Sequence, residues 1–323
     1  MVKYIIKRLL LSIVILLGVS LIIFVLTQNM PTSYVESKIV EEMSKGGEPP
    51  DEEKIAALMA EYDISYGEWL LKMLRLDFGE SFIKQEPVVD VIKDNMFVSF
   101  LVAAIATVFE FMIAIPLGIT AATHQYTFRD YLVTVLVMIG ISLPSFLFAQ
   151  MLKGVFAESG LLGLLPSQGI ISATSSTTGI AFVIDYVKHL ILPIATVVIL
   201  SIGGRMRMTR TNMLEVLNSD YIRTARAKGL REQVVIYKHA FRNTMIPLVT
   251  SLAGLLPSLF SGAIITEQVF DLPGIGNIAF DAMTRGDIPM IMGYNMFLAF
   301  LSIVGVLLSD LMYAVVDPRV KLQ

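Results

Sequence analysis

The sequence predicts an all-α polytopic membrane protein. Hydrophobic residues make up 55% of the 323-residue chain and charged residues 16%, against the roughly 25% charged content of soluble domains. About 20 mostly apolar residues suffice for a helix to cross a bilayer. Runs of this length predict six transmembrane helices, at residues 8–28, 97–121, 132–157, 189–208, 245–267 and 289–316.

The first span follows Lys3, Lys7 and Arg8, an arrangement that secretory signal peptides share. Its apolar run, from Leu9 to Leu26, is long enough to cross the membrane, and no small-x-small cleavage motif follows it. Residues 1–28 are therefore predicted to be an uncleaved N-terminal transmembrane helix whose first residues lie in the cytoplasm.

Residues 29–96 form a predicted extracytoplasmic insert. Three acids at 51–53 precede apolar residues at helical spacing, which favours a helix start there. Residues 69–74 continue an amphipathic pattern that Asp77-Phe78-Gly79 would close. The insert is expected to pack on the outer face, and a Ser/Thr-rich linker at 172–179 is expected to be flexible.

A strongly basic segment, Arg205–Arg242, lies between the fourth and fifth spans. It holds nine Lys/Arg and three Asp/Glu residues, or 9 − 3 = +6, in a chain of net charge −3. Basic loops stay on the cytoplasmic side. With six spans, both ends of the chain are then cytoplasmic, including the tail 317–323, and residues 97–316 form a five-helix domain.

The basic segment is predicted to contain two short helices. Ser219 and Asp220 favour a helix start, and Gly229 permits the left-handed turn that stops it. Small residues at 224, 225 and 227 allow a partner to approach closely. A solvated loop that only sets orientation is the alternative. The apolar and small residues among the charges favour a docking surface.

Ionisable residues inside spans are costly and serve as candidates for function. Glu110 lies near the middle of the second span, Lys153 toward the outer end of the third, and Asp310 in the inner part of the sixth. Alternatively, each could have a structural role, paired with another residue, a partner subunit or water. Lys153 could also extend its ammonium group outward to the membrane surface. Glu267 and Gln268 are candidates to face an external partner or the translocation path. With Glu110, they are the candidate pathway or outer-gate residues.

Several kinds of site are excluded or disfavoured. The chain has no cysteine, so it has no disulfide and no Cys-based metal or catalytic site. It has no G-x-x-x-x-G-K-[ST] motif, so ATP-driven work needs separate nucleotide-binding subunits. The match of residues 274–279 to G-x-G-x-x-A lies in an outer loop with no preceding strand, which favours a tight loop over a dinucleotide site. We predict no catalytic, cofactor or metal site.

The run DYIRTARAKGL, followed by HAFRN and IP, resembles the cytoplasmic coupling loop of ABC importer permeases of the dipeptide/oligopeptide class, B-type subunits. The runs LDFGESF, LLPSQG, EQVFDLPGIGNIAFDAM and DPRVKL are also similar to this family, so the resemblance covers nearly the whole chain. After the first span the family usually has a Pro-Gly-Asp-Pro-like motif, whereas this chain reads MPTSY at 30–34. That departure leaves the substrate subgroup open.

This resemblance implies a type I ABC importer transmembrane domain in residues 97–316, with its coupling loop at 209–244. It implies a permease subunit that forms half of a translocation pathway in a bacterial or archaeal cell membrane. The implied substrates are oligopeptides or dipeptides; nickel chelates, glutathione and oligosaccharides are alternatives. The implied ATPase-coupling residues are Asp220, Tyr221, Arg223, Thr224, Ala225, Arg226, Ala227, Lys228, Gly229 and His239.

The implied partners are a second homologous permease, two ATPase subunits that hold ATP and Mg, an extracytoplasmic substrate-binding protein and membrane lipid, with no nucleic acid. An ion-coupled secondary transporter is a different hypothesis. It would need polar groups in discontinuous mid-membrane helices and weak repeats, whereas the sequence shows one mid-span acid and no repeat. A membrane-embedded hydrolase would need a catalytic pair, and no such pair is evident.

Overall fold

The computed structural model describes residues 2–29, 65–172 and 179–316. The predicted helix start at 51–53, most of the Ser/Thr-rich linker and the cytoplasmic tail lie outside these ranges. Within them the chain is helical, with two isolated β-bridges and no strand. The helices are α1 (Val2–Gln28), α2 (Tyr66–Leu74), α3 (Val88–Thr123), α4 (Phe128–Ser142), α5 (Ser145–Phe156), α6 (Ile180–Leu217), α7 (Asp220–Ala227), α8 (Glu232–Val234), α9 (Arg242–Ala253), α10 (Leu256–Phe260), α11 (Ile264–Val269), α12 (Ile275–Arg285) and α13 (Ile288–Val316).

The six predicted spans take three forms. Helices α1, α3, α6 and α13 are each long and apolar enough to cross a membrane unbroken. The third span is divided into α4 and α5, which are consecutive and bent by 101° relative to each other. Counted as one span, they make a fifth candidate. The fifth predicted span, 245–267, is divided among α9, α10 and α11.

Prolines and glycines explain both interruptions. Pro144 has no N–H to continue α4, and the preceding Leu143 is extended, at φ −87° and ψ 134°. In the fifth span, Pro257 stands at the start of α10, and Gly262 adopts φ +71° between α10 and α11. The sequence shows these residues, but their effect depends on how the neighbouring helices satisfy the freed backbone groups.

The centre of the fold is the parallel pair α3 and α6. Val102 shares an apolar cluster with Leu190 near one end, and Ile119 shares another with Met213 near the other end. Gly118 allows a close approach, since a Cβ there would lie 2.6 Å from Thr209 Cβ and 2.9 Å from the carbonyl oxygen of Met206. Small residues at such crossings are typical of helices packed within a membrane.

Two carboxylates fix the ends of α13. Asp310 pairs with Arg8 of α1 at 3.1 Å, so the sixth-span acid has a partner on the first span. At the other end, buried Asp287 accepts hydrogen bonds from the N–H of Met290 (3.2 Å) and the hydroxyl of Ser81 (2.6 Å). The end of the insert is thereby attached to the start of α13.

Candidate functional site

The basic segment begins on a membrane-spanning helix. We predicted a fourth span ending near 208 and a loop starting at Arg205, but α6 continues unbroken to Leu217. Its Arg, Met, Leu and Glu residues are good helix formers, and no proline follows Pro193. Gly203 does not end the helix. Its missing side chain makes room for Ile141 of α4. The first part of the predicted coupling loop is therefore a rigid extension of the span.

Helix α7 lies where the sequence predicted a helix, but the predicted side-chain cap at its start is not made. It begins after Ser219, whose hydroxyl donates to the carbonyl of Val216 at 2.6 Å and makes no side-chain cap bond to the helix. It ends before Gly229, which adopts φ +73° while its N–H donates to the carbonyl of Arg226 at 2.9 Å. The glycine stop predicted from the sequence is confirmed.

One side of α7 packs on the chain's own spans. Ile222 and Ala225 are buried in a cluster with Ile119 of α3, Met213 of α6 and Val235. Ala225, which the sequence predicted to let a partner approach closely, faces inward and is 7% exposed. The side turned away from the spans carries the exposed residues Asp220, Tyr221, Arg223, Thr224, Arg226, Ala227 and Lys228.

An ion pair joins α7 to the next helix. Arg226 donates to the carboxylate of Glu232, with a closest distance of 2.8 Å. That hydrogen bond raises the pKa of the Arg226 guanidinium. A π-helical turn, Val235–Phe241, follows α8 and carries half-buried His239. Single π-helical turns are frequent at functional sites.

The mid-span acid Glu110 has a partner inside the same chain. Arg205 donates from Nε to Glu110 Oε1 at 3.0 Å and from a terminal nitrogen to Ser251 Oγ of α9 at 3.1 Å. Its guanidinium also lies 4.5 Å from the centre of the Phe111 ring. The Glu110 and Arg205 side chains are only 10% and 12% exposed. This group ties together α3, α6 and α9.

Sequence reasoning missed Arg205 as the partner of Glu110. We had counted it among the cytoplasmic basic residues, because the apolar core of the fourth span ends near Gly203. Arg205 follows Gly203 by two residues on the continuous helix α6 and stays largely buried, whereas Arg207, two residues further on, is exposed. Buried charges at membrane depth require such a partner.

Glu267 lies in a closed cradle rather than on a surface. Its carboxylate accepts from Ser99 Oγ (2.7 Å), the N–H of Ala263 (3.2 Å) and the N–H of Asn277 (3.0 Å). Ser99 Oγ in turn accepts from the N–H of Ile275 at 2.9 Å. These bonds hold α3, α11 and α12 together. The neighbouring candidate, Gln268, is exposed.

Three glycines form the walls of this cradle. A Cβ at Gly262 would lie 2.5 Å from Glu267 Oε1, and one at Gly276 would lie 2.8 Å from Oε2. At Gly274 a Cβ would overlap both Glu267 Oε2 and Ser99 Oγ. The two glycines of the G-x-G-x-x-A match, Gly274 and Gly276, therefore make room for a carboxylate at the start of α12. The tight loop expected from the sequence ends at Gly274, because residues 275–279 are helical.

We expect Gly274→Ala to lower the free energy of unfolding by about 1–3 kcal/mol, because the added methyl group must displace a hydrogen-bonded carboxylate. Thermal unfolding of the purified chain in nanodiscs measures the change. Gly154→Ala in α5 is the matched control, since its Cβ would meet no atom within 4 Å and alanine favours a helix interior. Equal melting temperatures for the two variants would contradict the cradle.

Lys153 is held inside the fold as well. Its ammonium group donates to the carbonyl of Val269 at 2.7 Å, at the C-terminal end of α11. It also lies 5.7 Å from the centre of the Phe270 ring. A cation at a helix C-terminus is favourable because the last carbonyls have no partner within the helix. Lys153 therefore connects α5 to α11 rather than reaching outward.

The whole chain is similar to known proteins. A family model described as "Binding-protein-dependent transport system inner membrane component" matches residues 114–322. The chain is 35% identical over 322 residues to the oligopeptide transport system permease protein AppB of Bacillus subtilis (strain 168), covering 99% of this chain and 100% of that protein. It is 34% identical over 336 residues to the dipeptide transport system permease protein DppB of Alkalihalophilus pseudofirmus, with the same coverage.

A solved structure shares the fold. It is a chain of the MetNI methionine ABC transporter in an inward-facing conformation, with a TM-score of 0.53 and 16% sequence identity. The match covers 72% of this chain and 99% of that chain. It confirms the predicted architecture, the transmembrane domain of a type I ABC importer.

Proposed function

This chain belongs to the family of binding-protein-dependent transport system inner membrane components, and we propose that it forms half of the translocation pathway of an ATP-driven peptide importer. The two relatives it matches from end to end are named as oligopeptide and dipeptide transport permeases, which supports a peptide substrate. The departure at residues 30–34 keeps nickel chelates, glutathione and oligosaccharides as alternative cargoes.

The observation that carries the proposal is the two-sided packing of α7. Its inner side is fixed to α3 and α6 by Ile222 and Ala225, and its outer side is exposed and basic. A helix fixed in this way transmits force to the spans when a partner holds its free side. The partner we propose is an ATPase subunit, with ATP and Mg bound there and not on this chain.

The complete importer would contain a second, similar permease, two ATPase subunits and an external substrate-binding protein. Closure of the ATPases on ATP would move both coupling helices together. The pathway would then alternate between outward and inward access, as a two-state switch that ATP biases. The basic side of the fold, which includes α7 and the N-terminal end of α1, would face the cytoplasm.

The candidate pathway residues take different parts in this proposal. Glu110 and Glu267 are both bonded inside the chain, so they would hold the helices that move rather than touch the cargo. Gln268 is exposed beside the Glu267 cradle. It would face the binding protein or the entrance of the path.

Purification of the tagged chain from its native membrane in mild detergent tests the proposal. We expect mass spectrometry to find a second permease and ATPase subunits, and the ATPase activity of the complex to rise when a peptide-loaded binding protein is added. A lone chain without ATPase activity, after crosslinking has excluded dissociation, would contradict the importer. Uptake that persists after ATP depletion with an intact ion gradient would favour a secondary transporter.

A further inference from the structure

Helix α2 lies beside the membrane-spanning part of α1. The Tyr66 hydroxyl is hydrogen-bonded to Ser20 Oγ at 2.8 Å, and the Trp69 ring centre lies 6.0 Å from that of Phe24. Ser20 precedes the end of α1 at Gln28 by eight residues, or about 12 Å along a helix. The contacts of α2 therefore fall within the depth of the apolar run of α1, and not above its end.

Helix α1 is exposed over most of its described surface. Only 6% of its most apolar window is buried inside the fold. Residues such as Leu10 and Val14 are more than half exposed along its length. We take the exposed apolar side of α1, and any surface of α2 that continues it at the same depth, to face the bilayer.

Around its axis, α2 has three different sides. Trp69 and the partly buried Met73 pack against Met292 and Met296 of α13. At 3.6 residues per turn, the remaining positions divide into an apolar flank and a polar flank. Leu71 and Leu74, which are 62% and 69% exposed, form the apolar flank.

The polar flank carries Glu68 and Lys72, and Arg75 follows at the C-terminal end of the helix. A helix that lies in the membrane surface has this division, with leucines toward the acyl chains and basic residues toward the headgroups. Lysine and arginine reach headgroup phosphates through their long apolar stems. Tryptophan and tyrosine are enriched at the same level of the membrane.

We propose that α2 is a membrane-surface helix that binds phospholipid in the leaflet at the C-terminal end of α1. Leu71 and Leu74 insert among the acyl chains, and Lys72 and Arg75 contact the phosphates. Under the proposed orientation this is the outer leaflet. The helix thus holds the end of the extracytoplasmic insert at the lipid surface, beside the start of α13.

Two single-cysteine variants test the lipid contact, and the chain has no cysteine of its own to remove. Leu74→Cys and Lys72→Cys lie on opposite flanks of α2 and are both exposed. Each carries a nitroxide label, with the full chain in nanodiscs of phosphatidylethanolamine and phosphatidylglycerol. Collision rates with oxygen, which concentrates in the bilayer, and with a water-soluble nickel chelate are then measured by electron paramagnetic resonance.

We expect the nickel-to-oxygen collision ratio to be several-fold lower at Leu74 than at Lys72. Val14→Cys on the lipid side of α1 and Lys84→Cys on an exposed turn provide the lipid and water references. Ratios at both α2 positions close to that of Lys84 would overturn the proposal, because the leucine flank would then face water. A Leu74 label that neither reagent reaches would also overturn it, because protein would then cover the flank.

Discussion

Proline at position 229 is expected to abolish uptake while the chain remains in the membrane. Gly229 adopts φ +73°, and its N–H bonds to the carbonyl of Arg226. Proline is restricted to φ near −65° and has no N–H. The turn that ends α7 cannot form, so α8 is displaced and the exposed side of α7 loses its fixed orientation. Uptake of labelled peptide by cells, with immunoblots of the membrane fraction, measures both effects.

Asparagine at the same position is the matched control for this experiment. A Cβ at Gly229 would meet no atom within 4 Å, so the site demands only the left-handed backbone. Asparagine adopts that backbone more readily than other residues with a side chain. We expect Gly229→Asn to retain most of the uptake. Wild-type uptake in the proline variant would show that the turn has no part in coupling.

Removal of the Glu110 carboxylate is the second substitution with a large expected effect. We expect Glu110→Ala to lower the free energy of unfolding by about 3–5 kcal/mol, because it leaves the charge of Arg205 buried without its partner. The measurement is thermal or denaturant unfolding of the chain in nanodiscs. Asp90→Ala provides the control on the same helix, since the pair of Asp90 with Lys93 is exposed and pairs of that kind contribute little.

A double variant distinguishes the stability due to the Glu110–Arg205 ion pair from the cost of burying either charge alone. Replacing Glu110 and Arg205 together with methionine removes both charges and keeps much of the volume, so we expect it to recover most of the stability that Glu110→Ala loses. The hydrogen bond from Arg205 to Ser251 is lost in the double variant, which limits the recovery. Equal losses in the single and double variants would mean that the two charges do not stabilise each other.

The sequence predicted those features that depend on short stretches of chain. Apolar runs marked the spans because a bilayer demands about 20 such residues for each helix. Gly229 marked the end of α7, because a left-handed turn depends on one residue, whereas Ser219 precedes the helix without capping it through its side chain.

Pairings between distant parts of the chain were not predictable in this way. Glu110 meets Arg205 only because of the rotation and register of α3 against α6, which apolar runs leave open. The acceptor for Ser99 lies 168 residues further along the chain. Ala225 is buried because its side of the short, basic helix α7 packs against apolar residues of α3 and α6, and the sequence of α7 alone does not show which side that is. The proline in the third span was visible, but its 101° bend follows from the packing around it.

The unbroken length of α6 relates a movement at α7 to a movement of the same helix near Leu192. Its 38 residues extend about 57 Å, whereas the hydrocarbon core of a bilayer is about 30 Å thick. From the packed residue Leu192 to Leu217, beside α7, the distance along the helix is about 38 Å at 1.5 Å per residue. A tilt of roughly 5° about Leu192 would carry Leu217 through about 3 Å, by the same helix geometry. A movement of a few ångströms at α7 would therefore become a much smaller displacement near Leu192, at the far end of the packing of α6 on α3.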